Sequence, residues 1–463
     1  VCAEQITISP IDGSVFVKRT CADQATIDST LDLARAAQKQ WKTRPLAERK
    51  DLCNKAVDAL IAKKDEIAEE ISWQMGRPIR AATGEVNGLE ERARTMIDLA
   101  DEALATIKLP DKPGYERWIQ REPLGVALVI APWNYPYLTA INAVLPAILA
   151  GNSVILKHSA QTPLCAERFA EAFQAAGLPD GVFQYLHLTH ADAETIIRDE
   201  RIDYVAFTGS VSAGTMVENA AAGRFIGVGL ELGGKDPAYV RADADIQHAV
   251  DVTMDGAFFN SGQSCCGIER IYVHESLYDE YLQRAIAWVK NLKLGRSDVQ
   301  DTTLGPLVRA SAADFVRMQT QEAIDQGAMA HISTDDFPLD KPGTPYLAPQ
   351  LLSDVNHSMR VMTEESFGPV VGVQKVSSDE EAVDLMNDSE FGLTAAIFTS
   401  DIDKGVALGQ QLETGTFFIN RCDYLDPGLA WTGVKHSGRG CSLSVMGYES
   451  LTRPKSFHIK TEL

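Results

Sequence analysis

Apolar residues recur at helical spacing in two early stretches. Leu31, Leu33, Ala36 and Ala37 mark residues 27–41, and Leu52, Ala56, Leu60 and Ile67 mark 46–75. This spacing predicts amphipathic helices packed on a larger body. A third helix is predicted over 84–107, after which Pro110, Pro113 and Gly114 stop the pattern. Residues 117–122 (Arg-Trp-Ile-Gln-Arg-Glu) alternate like an exposed strand, and short β-like pieces flank the turn Ser9-Pro10-Ile11-Asp12-Gly13.

From Gly125 to Leu156 the chain carries no charged residue. Length alone would suit a membrane span, but Pro132, Asn134, Pro136, Asn142, Pro146 and Asn152 interrupt it. The better parse is strand 126–131, helix 137–150 and strand 153–157, a βαβ unit with the continuous apolar strands of a buried parallel sheet. The alternation continues through helix 163–176, strand 182–186, helix 191–199, strand 203–207, helix 212–222 and strand 225–230. Such a series is a doubly wound α/β unit of the dinucleotide-binding type. A second α/β series starts near Asp245, with strand 268–273 and helix 275–292, and runs to about Gly433. Residues 456–460 alternate again and should pair with the strand around Trp118 or extend a neighbouring subunit's sheet.

Bulk composition narrows this picture. A chain of 463 residues exceeds a single core, so two or more lobes are expected. With 43 basic against 64 acidic residues the net charge is −21, which argues against nucleic acid and against an anionic membrane surface. Eight cysteines without regular spacing form no disulfide framework, and no CxxC or HExxH pattern supports a metal. No secretory pattern opens the sequence, and a reducing cytoplasm is the expected compartment.

Chemistry concentrates between Gly229 and Gly267. Glu231 lies in Leu-Glu-Leu-Gly-Gly-Lys and Cys265 in Gly-Gln-Ser-Cys-Cys-Gly. A thiol is the strongest side-chain nucleophile near neutrality, and a carboxylate can activate water, so the pair could form and hydrolyse a thioester. Gly229-x4-Gly234-Lys235 looks like a phosphate loop, but Asp236 replaces the hydroxyl residue and Pro237 follows, so it is discounted. A better phosphate site is Phe207-Thr208-Gly209-Ser210, which ends a strand and opens a helix. At the same sheet edge come Ala131-Pro132-Trp133-Asn134-Tyr135-Pro136 and Gly151-Asn152-Ser153-Val154-Ile155-Leu156-Lys157. Further on stand Glu364-Glu365-Ser366-Phe367-Gly368-Pro369, Asn387-Asp388-Ser389, Phe391-Gly392-Leu393 and Gly433-Val434-Lys435-His436-Ser437-Gly438.

In order and spacing, this set resembles the aldehyde dehydrogenase superfamily over essentially the whole chain. The resemblance implies a Rossmann-like dinucleotide-binding domain (1–104 and 124–233), an α/β catalytic domain (234–436) and a small β oligomerisation element (105–123 and 437–463). It implies an oxidoreductase using NAD or NADP on a small aldehyde, as a homodimer or homotetramer. Cys265 would be the nucleophile, Glu231 the general base, and Asn134 an oxyanion donor with the Cys265 backbone N–H. Pro132, Trp133, Lys157, Ser159, Gly209, Ser210, Glu365 and Phe367 would line the cofactor, with Glu231 at the same cleft. Tyr137, Ser264, Arg421 and Tyr424 would flank the substrate, and Arg421 suggests a carboxylate-bearing semialdehyde. Cys266 reads as a buried bystander.

Three departures from the family pattern matter. Ala160 stands where NAD-preferring members often carry a ribose-chelating glutamate, so NADP should be tolerated or preferred, with His158 or Ser159 near its phosphate. Ala143 replaces a lysine common nine positions after the asparagine. The usual Pro-Phe-Gly-Gly is Trp431-Thr432-Gly433-Val434. A CoA-acylating relative and a non-catalytic family member are the competing readings. Glu231 argues against the first, and the intact Cys265, Glu231 and Asn134 against the second.

Overall fold

The computed structural model describes residues 3–462. Three larger sheets organise them, beside two sheets of only two strands each. The first runs, from edge to edge, Gly438–Arg439, Gly227–Glu231, Tyr204–Thr208, Val126–Ala131, Ser153–His158 and Phe183–Tyr185, parallel throughout except at the Gly438 edge. Chain order reverses at Val126–Ala131, so a crevice opens at the carboxyl ends of the central strands, where such sheets take their ligands. The uncharged stretch is accounted for by burial, since Val126–Ala131 and Ser153–His158 are buried almost throughout. Pro136 opens the helix Pro136–Ala150 at a position that needs no N–H, and Gly151 closes it at φ 96°.

The second sheet runs Met329–Ala330, Gln350–Ser353, Val370–Val376, Ile268–His274, Asp236–Val240, Thr394–Phe398 and Thr416–Ile419, parallel except for its first pair. The chain leaves the first sheet at Glu231 and enters the second at Asp236, with only Leu232–Lys235 between. The third sheet is antiparallel, with Tyr115–Pro123 between Thr452–Lys460 and Ile107–Lys108. The tail therefore pairs with the strand around Trp118 as expected, and the Trp118 and Phe457 rings stack 4.7 Å apart.

Several boundaries differ from the sequence pattern. The stretch 46–75 is two helices, Leu46–Ile61 and Lys64–Met75, broken where Lys63 leaves helical geometry at ψ 17°. The third helix is Ile79–Ala103, displaced toward the N-terminus because Pro78 can start it and Leu104 ends it; Ile107–Lys108 joins the third sheet. Phe225 has φ 52° and stands outside its strand, which runs Gly227–Glu231. Among the described residues no helix is long and apolar enough to cross a membrane.

Candidate active site

Strand pairing explains how Glu231 and Cys265 meet although 34 residues separate them. Glu231 ends a strand of the first sheet, five residues before Asp236 opens one of the second. Asp236 pairs with Ile268, and Cys265 precedes Ile268 by three residues. The two groups thus face the same gap between the sheets. Glycine is required in the connection. A Cβ at Gly234 would lie 2.5 Å from the Cys265 carbonyl oxygen, and one at Gly233 would lie 2.5 Å from Glu365 Oε1.

A cavity of about 780 Å³ fills the gap. Its wall includes Cys265, Glu231 and Asn134 together with Pro132, Trp133, Lys157, Ser159, Gly209, Ser210, Glu365 and Phe367. These residues, assigned to catalysis or cofactor from the sequence, therefore line one space, whereas His158 does not. Carboxyl ends of four parallel strands, at Ala131, His158, Thr208 and Glu231, deliver all but Cys265, Glu365 and Phe367, which come from the turns before Ile268–His274 and Val370–Val376.

The Cys265 turn follows a left-handed run, Asn260 (φ 52°), Ser261 (φ 57°) and Gly262 (φ 73°). Asn134 is buried, and its Nδ2 donates to Gln263 O at 3.2 Å, so its amide reaches this turn from the first sheet. The Asn134 carbonyl accepts from Asn260 Nδ2 (3.2 Å) and from the Arg77 guanidinium. Arg77 also donates to Asn260 Oδ1 at 3.1 Å and pairs with the buried Glu85. Glu85 in turn accepts from the Tyr137 and Leu138 N–H groups at 2.9 and 3.0 Å, capping a helix whose own Tyr135 supplies no cap. The Arg77–Glu85–Asn260 network was not read from the sequence. Its members lie far apart in the chain, and none belongs to a motif with a mechanism of its own.

Both Glu231 oxygens are held. Ser442 Oγ donates to Oε1, and Thr208 Oγ1 donates to Oε2 at 3.1 Å. Burial raises the Glu231 carboxyl above the usual range, against these two hydrogen bonds and Arg92. Cys266 is buried and donates through Sγ to Asp423 Oδ1 at 3.1 Å, where Ser264 Oγ also donates at 2.8 Å. The adjoining Cys265 thiol and burial hold Cys266 well above the thiol range.

On the cofactor side, Ser210 caps the helix Val211–Ala221, leaving first-turn N–H groups at the cavity edge. Burial lowers Lys157 below the usual lysine range. Burial, with Glu269 second, pushes Glu365 up to about 8. Its carboxyl accepts from Gly234 N–H at 3.0 Å. Lys235, the false phosphate-loop lysine, is buried and pairs with Glu269, which accepts from the Ser366 and Phe367 N–H groups at 2.8 and 2.9 Å. That pair shapes the turn that sets Phe367 edge-on to Trp133, centroids 5.7 Å apart.

Other expected residues lie elsewhere. His158 is buried, with Nε2 against Pro136 O and Nδ1 against Thr162 Oγ1, both at 3.0 Å. Burial lowers it to about 4, so it is neutral and turned from the cavity. Ser159 and Ala160 remain on the wall. Tyr137 is fully buried in the core, with its ring against Phe169. Arg421 is exposed and lies over the Tyr424 ring, 3.6 Å from its centroid, while Tyr424 Oη donates to Glu91 at 2.9 Å. None of Tyr137, Ser264, Arg421 and Tyr424 lines the large cavity.

Residues 3–457 match the sequence model of the aldehyde dehydrogenase family. A probable succinate-semialdehyde dehydrogenase [NADP(+)] of Synechocystis is 35% identical over 453 residues, covering 98% of this chain and 99% of that protein. A succinate semialdehyde dehydrogenase [NAD(P)+] of Escherichia coli is 33% identical, covering 96% and 95%. The structure of a succinic semialdehyde dehydrogenase from Streptococcus pyogenes in complex with NADP+ superposes with a TM-score of 0.94 at 30% identity, covering 98% of this chain and 100% of that one.

Proposed function

Because this chain belongs to the aldehyde dehydrogenase family, we propose that it oxidises an aldehyde to the free carboxylic acid through a covalent intermediate on Cys265. One observation carries this reading: a single cavity joins Cys265, Asn134 and Glu231 to the dinucleotide-binding edge of the first sheet. The residues present suit NAD or NADP, with helix-terminal N–H groups at Ser210 and a buried lysine at the same edge. When bound, the nicotinamide supplies the hydride acceptor.

In this mechanism the Cys265 thiolate adds to the aldehyde carbon, and the developing oxyanion is met by Asn134 Nδ2 and the Cys265 N–H. Loss of hydride leaves a thioester on Cys265. Glu231 takes a proton from water, which attacks the thioester and releases the acid. A burial-raised carboxyl suits that role, since a base with a pKa nearer the working pH binds its proton more effectively. Glu231 in the same cavity also favours hydrolysis over transfer to CoA. The names of the relatives support a semialdehyde as substrate.

The same reading divides the chain into the three units expected from its sequence, with the separate sheet of Tyr115–Pro123 and Thr452–Lys460 serving a homodimer or homotetramer. The test is a panel of aliphatic, aromatic and carboxylated aldehydes assayed with NAD and NADP, with and without CoA. Reduced cofactor and free acid in equal amounts, lost in Cys265→Ser, are expected. Acyl-CoA as product would select the other reading.

A further inference from the structure

Two cysteines stand side by side at the nucleophile's place, and their surroundings differ. Cys265 lines the large cavity, whereas Cys266 is 3% exposed and, like Ser264, lies off its wall. The Cys266 thiol donates to Asp423 Oδ1 at 3.1 Å, and the Ser264 hydroxyl donates to the same oxygen at 2.8 Å. One carboxylate atom therefore grips both the residue before Cys265 and the residue after it.

Asp423 reaches this place on an anchored loop, just past the strand Thr416–Ile419. Asn420, at φ 57°, exchanges two hydrogen bonds of 2.9 Å with the Thr399 backbone. Its carbonyl lies 2.8 Å from His248 Nε2. Cys422 donates through Sγ to Val252 O at 3.3 Å, which ties the loop to the helix Ile246–Phe258. Tyr424 is fixed on the other side by its bond to Glu91. Between these ties Asp423 takes φ 47°, a left-handed conformation uncommon outside glycine. Such residues persist where their surroundings over-determine them, and they cluster at functional sites.

The thiolate is the reactive form of cysteine, so two adjacent thiols pose a choice. A thiol that donates to a carboxylate oxygen keeps its proton and turns its sulfur toward that oxygen. The adjoining Cys265 thiol, burial and Asp423, with Asp236 beyond, all hold Cys266 in the protonated form. Ser264 is bound to the same oxygen, so the turn is fixed on both flanks against exchanging one sulfur for the other.

We propose that Asp423 is a positioning residue that selects the nucleophile: it holds Ser264 and Cys266 on either side of Cys265, so that Cys265 alone presents its sulfur to the cavity. It acts through its neighbours rather than on the reacting atoms. The role of Cys265 in turnover rests on the aldehyde-oxidation reading, whereas the difference between the two thiols does not.

Iodoacetamide labelling of the full-length enzyme, resolved by tandem mass spectrometry into a rate for each thiol, needs no turnover. In the wild type Cys265 should label at least about tenfold faster than Cys266. Asp423→Leu keeps the bulk of the side chain and removes the acceptor, so the ratio of the two rates should fall toward unity. Its kcat should drop by about tenfold or more, as for a displaced reacting group, while KM for the cofactor holds within about threefold. Asp423→Asn keeps an acceptor oxygen and should recover part of both losses. Should Asp423→Leu not fold, Ser264→Ala frees one flank and should narrow the ratio in the same direction. Equal labelling of the two thiols in the wild type would overturn the proposal. An Asp423→Leu or Ser264→Ala enzyme that keeps the wild-type ratio would overturn it as well. A wild type inactive on every aldehyde would instead reject the functional reading and leave the labelling test in force.

Discussion

Arg77 and Glu85 form an ion pair sealed beneath the loop that carries Asn134, their side chains only 2% and 0% exposed. The pair couples three things that the chemistry needs in register: the Asn134 backbone, the Asn260 turn before Cys265, and the start of the helix Pro136–Ala150. Glu85→Gln keeps the shape and removes the charge, leaving Arg77 uncompensated. Breaking one partner of a buried pair costs about 3–5 kcal/mol. Thermal unfolding of the variant should therefore move down by several degrees, and kcat should fall more than cofactor affinity. Unchanged stability would show that the pair is not sealed as described.

Asn134 itself should act on the transition state. Asn134→Ala is expected to lower kcat by about 10²–10³, the usual cost of one oxyanion donor. The cofactor dissociation constant, followed by fluorescence titration, should stay near its wild-type value because no cofactor contact is assigned to the amide. A comparable weakening of cofactor binding would reassign the residue.

Glu231 sets a pH limb whose direction follows from its contacts. In the proposed mechanism the ionised form is the base; burial raises its pKa, and the Ser442 and Thr208 hydrogen bonds hold it down. Removing the Ser442 hydroxyl takes away one restraint, so the acid limb of thioester hydrolysis should move to higher pH in Ser442→Ala. Glu231→Gln should abolish the limb and give a burst of reduced cofactor followed by a slow steady rate. A limb in Ser442→Ala that coincides with the wild type would count against Glu231 as the titrating group.

In the proposed reading, cofactor choice turns on the part of the cavity wall formed by Ser159 and Ala160. With no carboxylate at position 160, nothing there repels a 2′-phosphate, and His158 is occupied in the core. The kcat/KM ratio of NAD over NADP is expected at or below unity. Ala160→Glu should raise that ratio by about tenfold or more through like-charge repulsion. A wild-type ratio far above unity would refute the assignment.

Much of this was legible in the sequence for physical reasons. Parallel strands buried on both faces, such as Val126–Ala131, leave continuous apolar runs, and strand-end turns such as Phe207–Ser210 leave glycine and a helix cap. Pro132, Trp133, Asn134, Ser159, Gly209 and Ser210 stand at or just past such strand ends, whereas Cys265, Glu365 and Phe367 lie before later strands and are legible only through the family resemblance of their motifs. What stayed hidden has no local pattern. Arg77, Glu85, Glu269 and Arg92 read as ordinary helix or strand charges until the fold buries them. That Tyr137 and Arg421 lie off the wall of the large cavity is equally illegible in the sequence, because helix phase and loop direction there depend on packing with the helix Ile79–Ala103 and with Tyr424.

Glu365 offers a test on the folded state rather than on turnover. Its folded pKa of about 8 lies above the ordinary glutamate value of 4.5, raised by burial and by Glu269. Between those two values the folded protein holds a proton that the unfolded chain has released, so this group makes stability fall as pH rises. The contribution is full below about 4.5 and lost as pH passes through about 8. Per pH unit inside that window the slope is at most about 1.4 kcal/mol. Glu365→Gln keeps a neutral side chain at every pH. The melting temperature of the cofactor-free variant, relative to the wild type, should therefore climb from pH 5 to pH 8 and level off above it. Parallel melting curves across that range would mean that Glu365 is already ionised near neutrality, and that its bond to the Gly234 N–H outweighs its burial.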